Sequence, residues 1–390
     1  MKAMQQNENF QLPRRLQGVQ PTLIRQIFER ALPDSINFGL GEPDLPTPQF
    51  IREEAARVTL KNKTVTRITP EFLPLRELIA ASYPHLNLQP NQVCVTVGSQ
   101  EAMTAAFLAI VDEGDEVLIP NPAFPAYENC VKICRRRSGF LSSSGGQRFR
   151  VSTSKNSNRK SPPKTKAAVV ISPSNPTGKI FTENDLRQIA EVLKDTGIYL
   201  ISDEIYTDLY FTDEKPRSAS EFYDRTIIVD GFIKIFEYDR LARRLAGKLA
   251  NRCRQSRADV ARIFDRLHFD DFAESVACSA GLPEAESAKA EAREIYKRRG
   301  EFLIDILQKE LGLRGTHPEG AFYTMLDVRS LGDDLAVAEK FLQNRVITVP
   351  ESRSATEAKG FLRMSFCNSE ERMAEGVRRM KEALKLSGKK

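Results

Sequence analysis

Eight positions in the middle of the chain could together do one piece of chemistry: Gly98, Ser99, Gln100, Phe124, Asn175, Asp203, Tyr206 and Lys234. A lysine amine condenses with an aldehyde to a Schiff base. Backbone N–H groups left free where a helix begins, as at Gly98 to Gln100, suit a phosphate. An aromatic face such as Phe124 suits a flat ring. A carboxylate at Asp203 can keep a ring nitrogen protonated, and Asn175 and Tyr206 can hydrogen-bond an oxygen on that ring. Singly, each has a commoner explanation: Asp203 as a helix cap, Asn175 as a turn former in "SPSNPTG", Phe124 as a core residue. Joint occurrence favours a ligand with an aldehyde, a heteroaromatic ring and a phosphate.

The elements that must position these residues are legible as short apolar runs rich in β-branched residues, at 93–97, 116–119, 167–171, 198–201 and 226–229. They alternate with helical patterns, which predicts an α/β fold with a mainly parallel sheet covered by helices. "TENDLRQIAEVLKDTG" reads as a helix capped by Thr182 and stopped at Gly197, and "GSQEAMTAAFLAIVDEG" as a helix opening straight after a strand. Each candidate residue follows one of the strands. In open α/β sheets ligands bind beyond the carboxyl ends of the strands, so residues far apart in sequence can meet in one crevice. Pyridoxal 5'-phosphate has all three parts such a crevice would recognise.

Composition narrows the class. The 390 residues are 41% hydrophobic and 28% charged, as in a globular protein of two units. No apolar run approaches the ~20 residues of a membrane helix. The opening "MKAMQQNENFQLPRRLQG" has no apolar segment after its charges, so a cytoplasmic protein is expected. Six cysteines without paired close spacing, and three scattered histidines, give no disulfide framework, no metal site and little material for histidine-based hydrolysis. The net charge of +6 is uneven: residues 135–166 hold ten Lys and Arg and no Asp or Glu. That stretch is Ser- and Gly-rich with only Phe140 and Phe149 as aromatics and no known binding motif, and reads as a surface loop rather than a nucleic-acid site.

"SPSNPTG", "SDEIY" and "DGFIK" stand in fixed order, with 28 residues from Asn175 to Asp203 and 31 from Asp203 to Lys234. With "GLGEPDLPTP", "PNPAFPAY", "PEGAFYTMLDV" and "GFLRMSF", the chain resembles, over nearly its whole length, the class I/II aminotransferases of the fold type I pyridoxal-phosphate family. The resemblance implies a large cofactor domain over 46–285, a small α+β domain over 286–390 with residues 1–45 packed beside it, and a homodimer. It further implies amino transfer from an α-amino acid to a 2-oxo acid, Lys234 as the Schiff-base lysine, and Gly41 and Arg363 at the substrate carboxylate. Two rivals share this reading: a β-eliminating or cyclising lyase of the same family, and a member that has lost catalysis and binds a partner.

The pattern breaks around the lysine. Ile233 stands where the family has a small hydroxyl residue, and no glycine follows Lys234 before Gly247. Arginines at 240, 243 and 244 lie in a stretch where Leu241, Leu245, Leu249 and Cys253 recur every four residues, so a basic amphipathic helix accounts for it as well as a phosphate-clamping arginine does. Ile68 stands in for a tyrosine, and Glu351 for the glycine after Pro350. The phosphate anchor is therefore expected to be weakened while the chemical centre is kept.

Overall fold

The computed structural model describes residues 23–60, 73–96, 98–134, 137–144, 148–152, 165–231, 234, 247–251, 283–352 and 358–386. The described elements begin with α1 (Leu23–Glu29), β1 (Ile36–Asn37), α2 (Gln49–Leu60) and α3 (Leu73–Ala81). The α/β alternation then runs through β2 (Val93–Thr96), α4 (Gly98–Ile110), β3 (Glu116–Pro120), α5 (Ala126–Ile133), β4 (Arg137–Ser144), β5 (Arg148–Ser152), β6 (Thr165–Ile171), α6 (Glu183–Leu193), β7 (Tyr199–Asp203), β8 (Thr226–Gly231) and β9 (Gly247–Asn251). The C-terminal part holds α7 (Pro283–Leu311), β10 (Tyr323–Asp327), α8 (Asp334–Gln343), β11 (Val346–Ile347), β12 (Val349–Pro350), β13 (Phe361–Ser365) and α9 (Glu370–Leu386).

The large sheet has the order β2-β9-β8-β7-β6-β3-β4-β5. Its centre, β8-β7-β6-β3-β4, is parallel throughout. The middle strands are buried on both faces, which is why they read as nearly continuous apolar runs. One face, with Val117, Ile119, Ala167, Val169, Ile171, Ile201 and Val229, packs into the main core. The other, with Leu118, Ala168, Val170 and Leu200, packs under Leu186, Ile189 and Leu193 of α6. Each Val, Leu or Ile among them contributes about 1.5–3 kcal/mol relative to exposure. The cap of α6 is reciprocal, as expected: the Asp185 N–H donates to Thr182 Oγ1 at 3.2 Å, and Asp185 Oδ2 accepts from the Thr182 N–H at 2.9 Å. The helix ends at Leu193, and the turn beyond uses Asp195 and Gly197, both with positive φ.

Two expectations are corrected. The helix pattern through Leu241, Leu245, Leu249 and Cys253 does not form a helix at 247–251, where β9 pairs antiparallel with both β2 and β8. An unfilled slot between two strands offers every backbone group of an inserted segment a partner, and that overrides a local apolar period. The basic stretch at 135–166 is not one loop, because β4 pairs along β3 from Glu116↔Arg137 to Pro120↔Leu141, and β5 returns antiparallel to β4. Its Ser and Gly content records composition, and pairing depends on the neighbouring strand.

A second, smaller sheet has the order β10-β13-β12, all antiparallel. β1 pairs in parallel with β11, which lays residues 37–44 beside β13. Among the described residues no helix is long and apolar enough to cross a membrane, and no group of three His, Cys, Asp or Glu could hold a metal.

Candidate active site

All ten residues singled out from the sequence line one cavity of about 370 Å³: Gly41, Gly98, Ser99, Gln100, Phe124, Asn175, Asp203, Tyr206, Lys234 and Arg363. Eight of them lie at or follow the carboxyl ends of strands of the large sheet, β2, β3, β6, β7 and β8, and Gly41 and Arg363 come from the 37–44 strap and β13. Gly98 takes φ +79°, the left-handed region open to glycine, which lets α4 begin immediately beyond β2 with its first N–H groups at the cavity wall.

Asp203 is the last residue of β7, 6% exposed. Its carboxylate accepts from the Tyr127 hydroxyl at 2.5 Å and from the Ile205 N–H at 3.2 Å. Burial pushes this carboxyl up to about 6, against the partial pull of those two donors. Among the described residues no cation is among the groups acting on it. A carboxyl that titrates higher in the folded chain than in the unfolded one stabilises the fold fully below about 3.8 and loses that contribution as pH rises through about 6. Asp203→Asn, without cofactor, is therefore expected to be more stable than the parent above pH 6, by up to ~3 kcal/mol. The difference should vanish below about pH 4. Thermal unfolding against pH checks this, and parallel curves for the two proteins would refute it.

Arg363 presents the opposite charge. It is 2% exposed on β13, with Nη1 donating to Asn175 Oδ1 at 2.9 Å and Nη2 to the Gly39 carbonyl at 2.8 Å. Its guanidinium lies 5.0 Å above the Tyr323 ring. Nε is buried with no hydrogen-bond partner among the described residues. A buried guanidinium held by two neutral acceptors, with no carboxylate paired to it among the described residues, has its geometry set and could receive a carboxylate. Asn175 thus does more than turn the chain. Its amide oxygen faces the arginine, which leaves the amide nitrogen as a donor toward the cavity.

The strap fits because it lacks side chains where it descends. A Cβ on Gly41 would sit 2.0 Å from the Tyr323 hydroxyl and 2.4 Å from Phe322. Lys234 Nζ donates to the Gly41 carbonyl at 3.1 Å and lies 5.8 Å from the Phe322 ring centroid. The Tyr206 and Tyr323 hydroxyls are 3.3 Å apart, and burial raises the Tyr206 phenol well above its ordinary range, so it stays a neutral donor. Tyr323 is brought there by the "SPSNPTG" turn: the Glu319 and Gly320 N–H groups donate to the Gly178 carbonyl at 2.7 and 3.0 Å, and Lys179 pairs with Glu319.

These groups fit pyridoxal phosphate on observations independent of the sequence motifs. A buried carboxylate with no cation beside it among the described residues suits a protonated ring nitrogen, and a helix start suits the phosphate. The Phe124 ring stands edge-on to Tyr127, with centroids 5.8 Å apart, and lines the same cavity. Sequence reasoning missed Tyr127, Tyr323, Glu42, Met103 and Ile24, which also line it. Tyr127 was discoverable, lying three residues after Phe124 near the start of a helix, on the face that Phe124 marks. The departures at Ile68, Ile233, Arg240, Arg243 and Arg244 lie outside the described residues. Glu351 is 1% exposed, packed where a glycine was expected.

Comparison with known proteins gives consistent matches. The family model for aminotransferase class I and II matches residues 33–380. A probable aspartate/prephenate aminotransferase of Aquifex aeolicus is 33% identical over 380 residues, covering 90% of this chain and 91% of the relative. The aspartate aminotransferase of Thermotoga maritima is 32% identical over 356 residues, covering 90% and 92%. The solved structure of aspartate aminotransferase from Thermus thermophilus with maleate superposes with a TM-score of 0.83 at 27% identity, covering 96% of this chain and all of that one (100%).

Proposed function

We propose, from the premise that the chain belongs to the class I and II aminotransferases, that amino transfer runs in the cavity bounded by Lys234, Asp203 and Arg363. The chain is a pyridoxal-phosphate-dependent aminotransferase acting between amino acids and 2-oxo acids. When bound, pyridoxal phosphate supplies an aldehyde for the amine and a protonated ring that withdraws electrons from the substrate Cα. Gly98, Ser99 and Gln100 would hold the phosphate through backbone N–H groups at the start of α4. Phe124 would cover the ring, Asp203 would keep its nitrogen protonated, and Asn175 and Tyr206 would donate to its oxygen. Arg363 and the strap at Gly41 bind the α-carboxylate and orient the Cα–H bond. Lys234 Nζ would hold the cofactor's aldehyde and, once free, would take the proton from Cα and return one.

The observation that carries this reading is that a buried Asp203 carboxylate and a buried Arg363 guanidinium, neither with an ion-pair partner among the described residues, line one cavity. The names of the relatives point to aspartate as a substrate to try first. The test is a product assay with purified protein, pyridoxal phosphate, an amino acid panel and 2-oxoglutarate. A 2-oxo acid and a new amino acid are expected in equal amounts, whereas pyruvate and ammonia alone would show elimination instead. A homodimer is part of the proposal, and sedimentation equilibrium showing a single chain in solution would remove it.

A further inference from the structure

The strap at 37–44 is tied down in three places. Upstream, Asn37 Oδ1 accepts from the Gly39 and Leu40 N–H groups at 2.8 and 2.9 Å, and its carbonyl accepts from Asn368 Nδ2 at 2.7 Å. In the middle, the carbonyls of Gly39, Leu40 and Gly41 accept from Arg363, from Ser365 Oγ at 2.7 Å and from Lys234. Downstream, Asp44 receives both prongs of Arg299, Nη1 to Oδ1 at 2.6 Å and Nη2 to Oδ2 at 3.1 Å. Arg299 comes from α7, 255 residues away in sequence, and is only 8% exposed.

Arg299 also connects to the cavity through a chain of packed rings. Its guanidinium lies 5.7 Å from the ring centroid of Tyr296, which is fully buried. Tyr296 packs on Phe322 at 5.7 Å, and Phe322 packs on Tyr206 at 5.3 Å and Tyr323 at 5.0 Å, both of which line the cavity. Neighbouring Arg298 offers a contrast: it pairs with Glu370 at 2.8 Å, but its side chain is 62% exposed, the kind of surface pair that holds little in place. A two-pronged, largely buried guanidinium fixes its partner in direction as well as distance, which a lysine ammonium cannot do.

We propose that Arg299 and Asp44 are a positioning pair that sets the strap over the substrate carboxylate, and so determines affinity for amino and 2-oxo acids. The inference rests on the site reading above. Neither residue is among those lining the cavity, so they act through Gly41 and through the Gly39 carbonyl that holds Arg363. Releasing Asp44 frees the downstream end of the strap. The carboxylate end of the site then loosens while Asp203 and Lys234 stay on β7 and beyond β8. A looser carboxylate end weakens binding of substrate in the ground and transition states alike, so the loss should appear mainly in KM, with a smaller fall in kcat from the poorer orientation of Cα–H.

The experiment uses the full-length holoenzyme. Asp44→Asn and Arg299→Lys should each raise KM for both amino acid and 2-oxo acid by about 10- to 100-fold, the affinity carried by one charge-assisted hydrogen bond, with a smaller change in kcat and cofactor affinity close to the parent. The dissociation constants of the unreactive acids succinate and 3-phenylpropionate should rise in step for whichever the parent binds. Asp44→Glu, which keeps the charge, should fall between. In protein without cofactor, hydrogen exchange of peptides covering 37–46 should speed up in the same two variants and not in Arg298→Gln. Parental KM and exchange in Asp44→Asn, alongside a raised KM in Arg363→Ala, would overturn this inference and leave the site reading standing. An unchanged KM in Arg363→Ala would instead defeat the site reading. Faster exchange spread over the whole chain would assign the pair to general stability and overturn the positioning role.

Discussion

Lys234→Ala is expected to lower the rate of amino transfer by about 10²–10⁴-fold from the loss of proton transfer alone. The further loss of the covalent attachment point adds to that. Its amine reaches the cavity from just past β8, and its one hydrogen bond among the described residues, to the Gly41 carbonyl at 3.1 Å, leaves it able to swing toward a bound aldehyde. Stopped-flow turnover measures the effect. Borohydride reduction of the parent with pyridoxal phosphate, followed by peptide mapping, should place the pyridoxyl group on Lys234. A label on another lysine, with Lys234 unmodified, would sink the assignment. Substrate binding through Arg363 should survive the substitution, because that guanidinium is held by Asn175 and Gly39 and by nothing on Lys234.

Asp203→Asn should act on a different step. The cofactor should still bind and still attach to Lys234, since phosphate and lysine contacts are untouched. Removal of the Cα proton should slow by about 10²–10³-fold, the size of effect seen when one preorganised charge-stabilising partner is lost. The reason is electrostatic: an asparagine amide cannot hold a ring nitrogen protonated, and Asp203 is the carboxylate that Tyr127 bonds at the buried end of β7. Single-turnover kinetics with Cα-deuterated amino acid is the check, and an unchanged proton-removal step would show that Asp203 does not face the ring nitrogen. The same substitution is expected to stabilise the cofactor-free chain above pH 6. A residue that costs stability in the empty fold and speeds the reaction in the loaded one is common at functional sites.

Much of this protein was legible before its structure. The strand runs were readable because strands buried on both faces must be apolar along their length. The Thr182 cap was readable because capping is a contact over three residues. Lys234, Asp203 and Asn175 were readable from motif order and spacing, which resembles a known family, and the structure brings them to one cavity with Gly41 and Arg363. What failed was local inference about segments whose partners are distant. Leu249 keeps a helical period with its neighbours and yet lies in β9, because β2 and β8 leave a slot there.

The sequence by itself determined which chemical groups are available and in what order the chain presents them. Only the tertiary structure decided which of those groups meet: Arg363 with Asn175 across 188 residues, Arg299 with Asp44 across 255, and Tyr127 with Asp203 across 76. It also decided that the Asp203 carboxyl is raised and that Arg363 is buried with no carboxylate paired to it among the described residues, since both depend on packing. The physical reason is one of range. Caps, turns and periodicity are set by neighbours a few residues away, whereas desolvation and charge pairing are properties of a surrounding that only the packed chain creates.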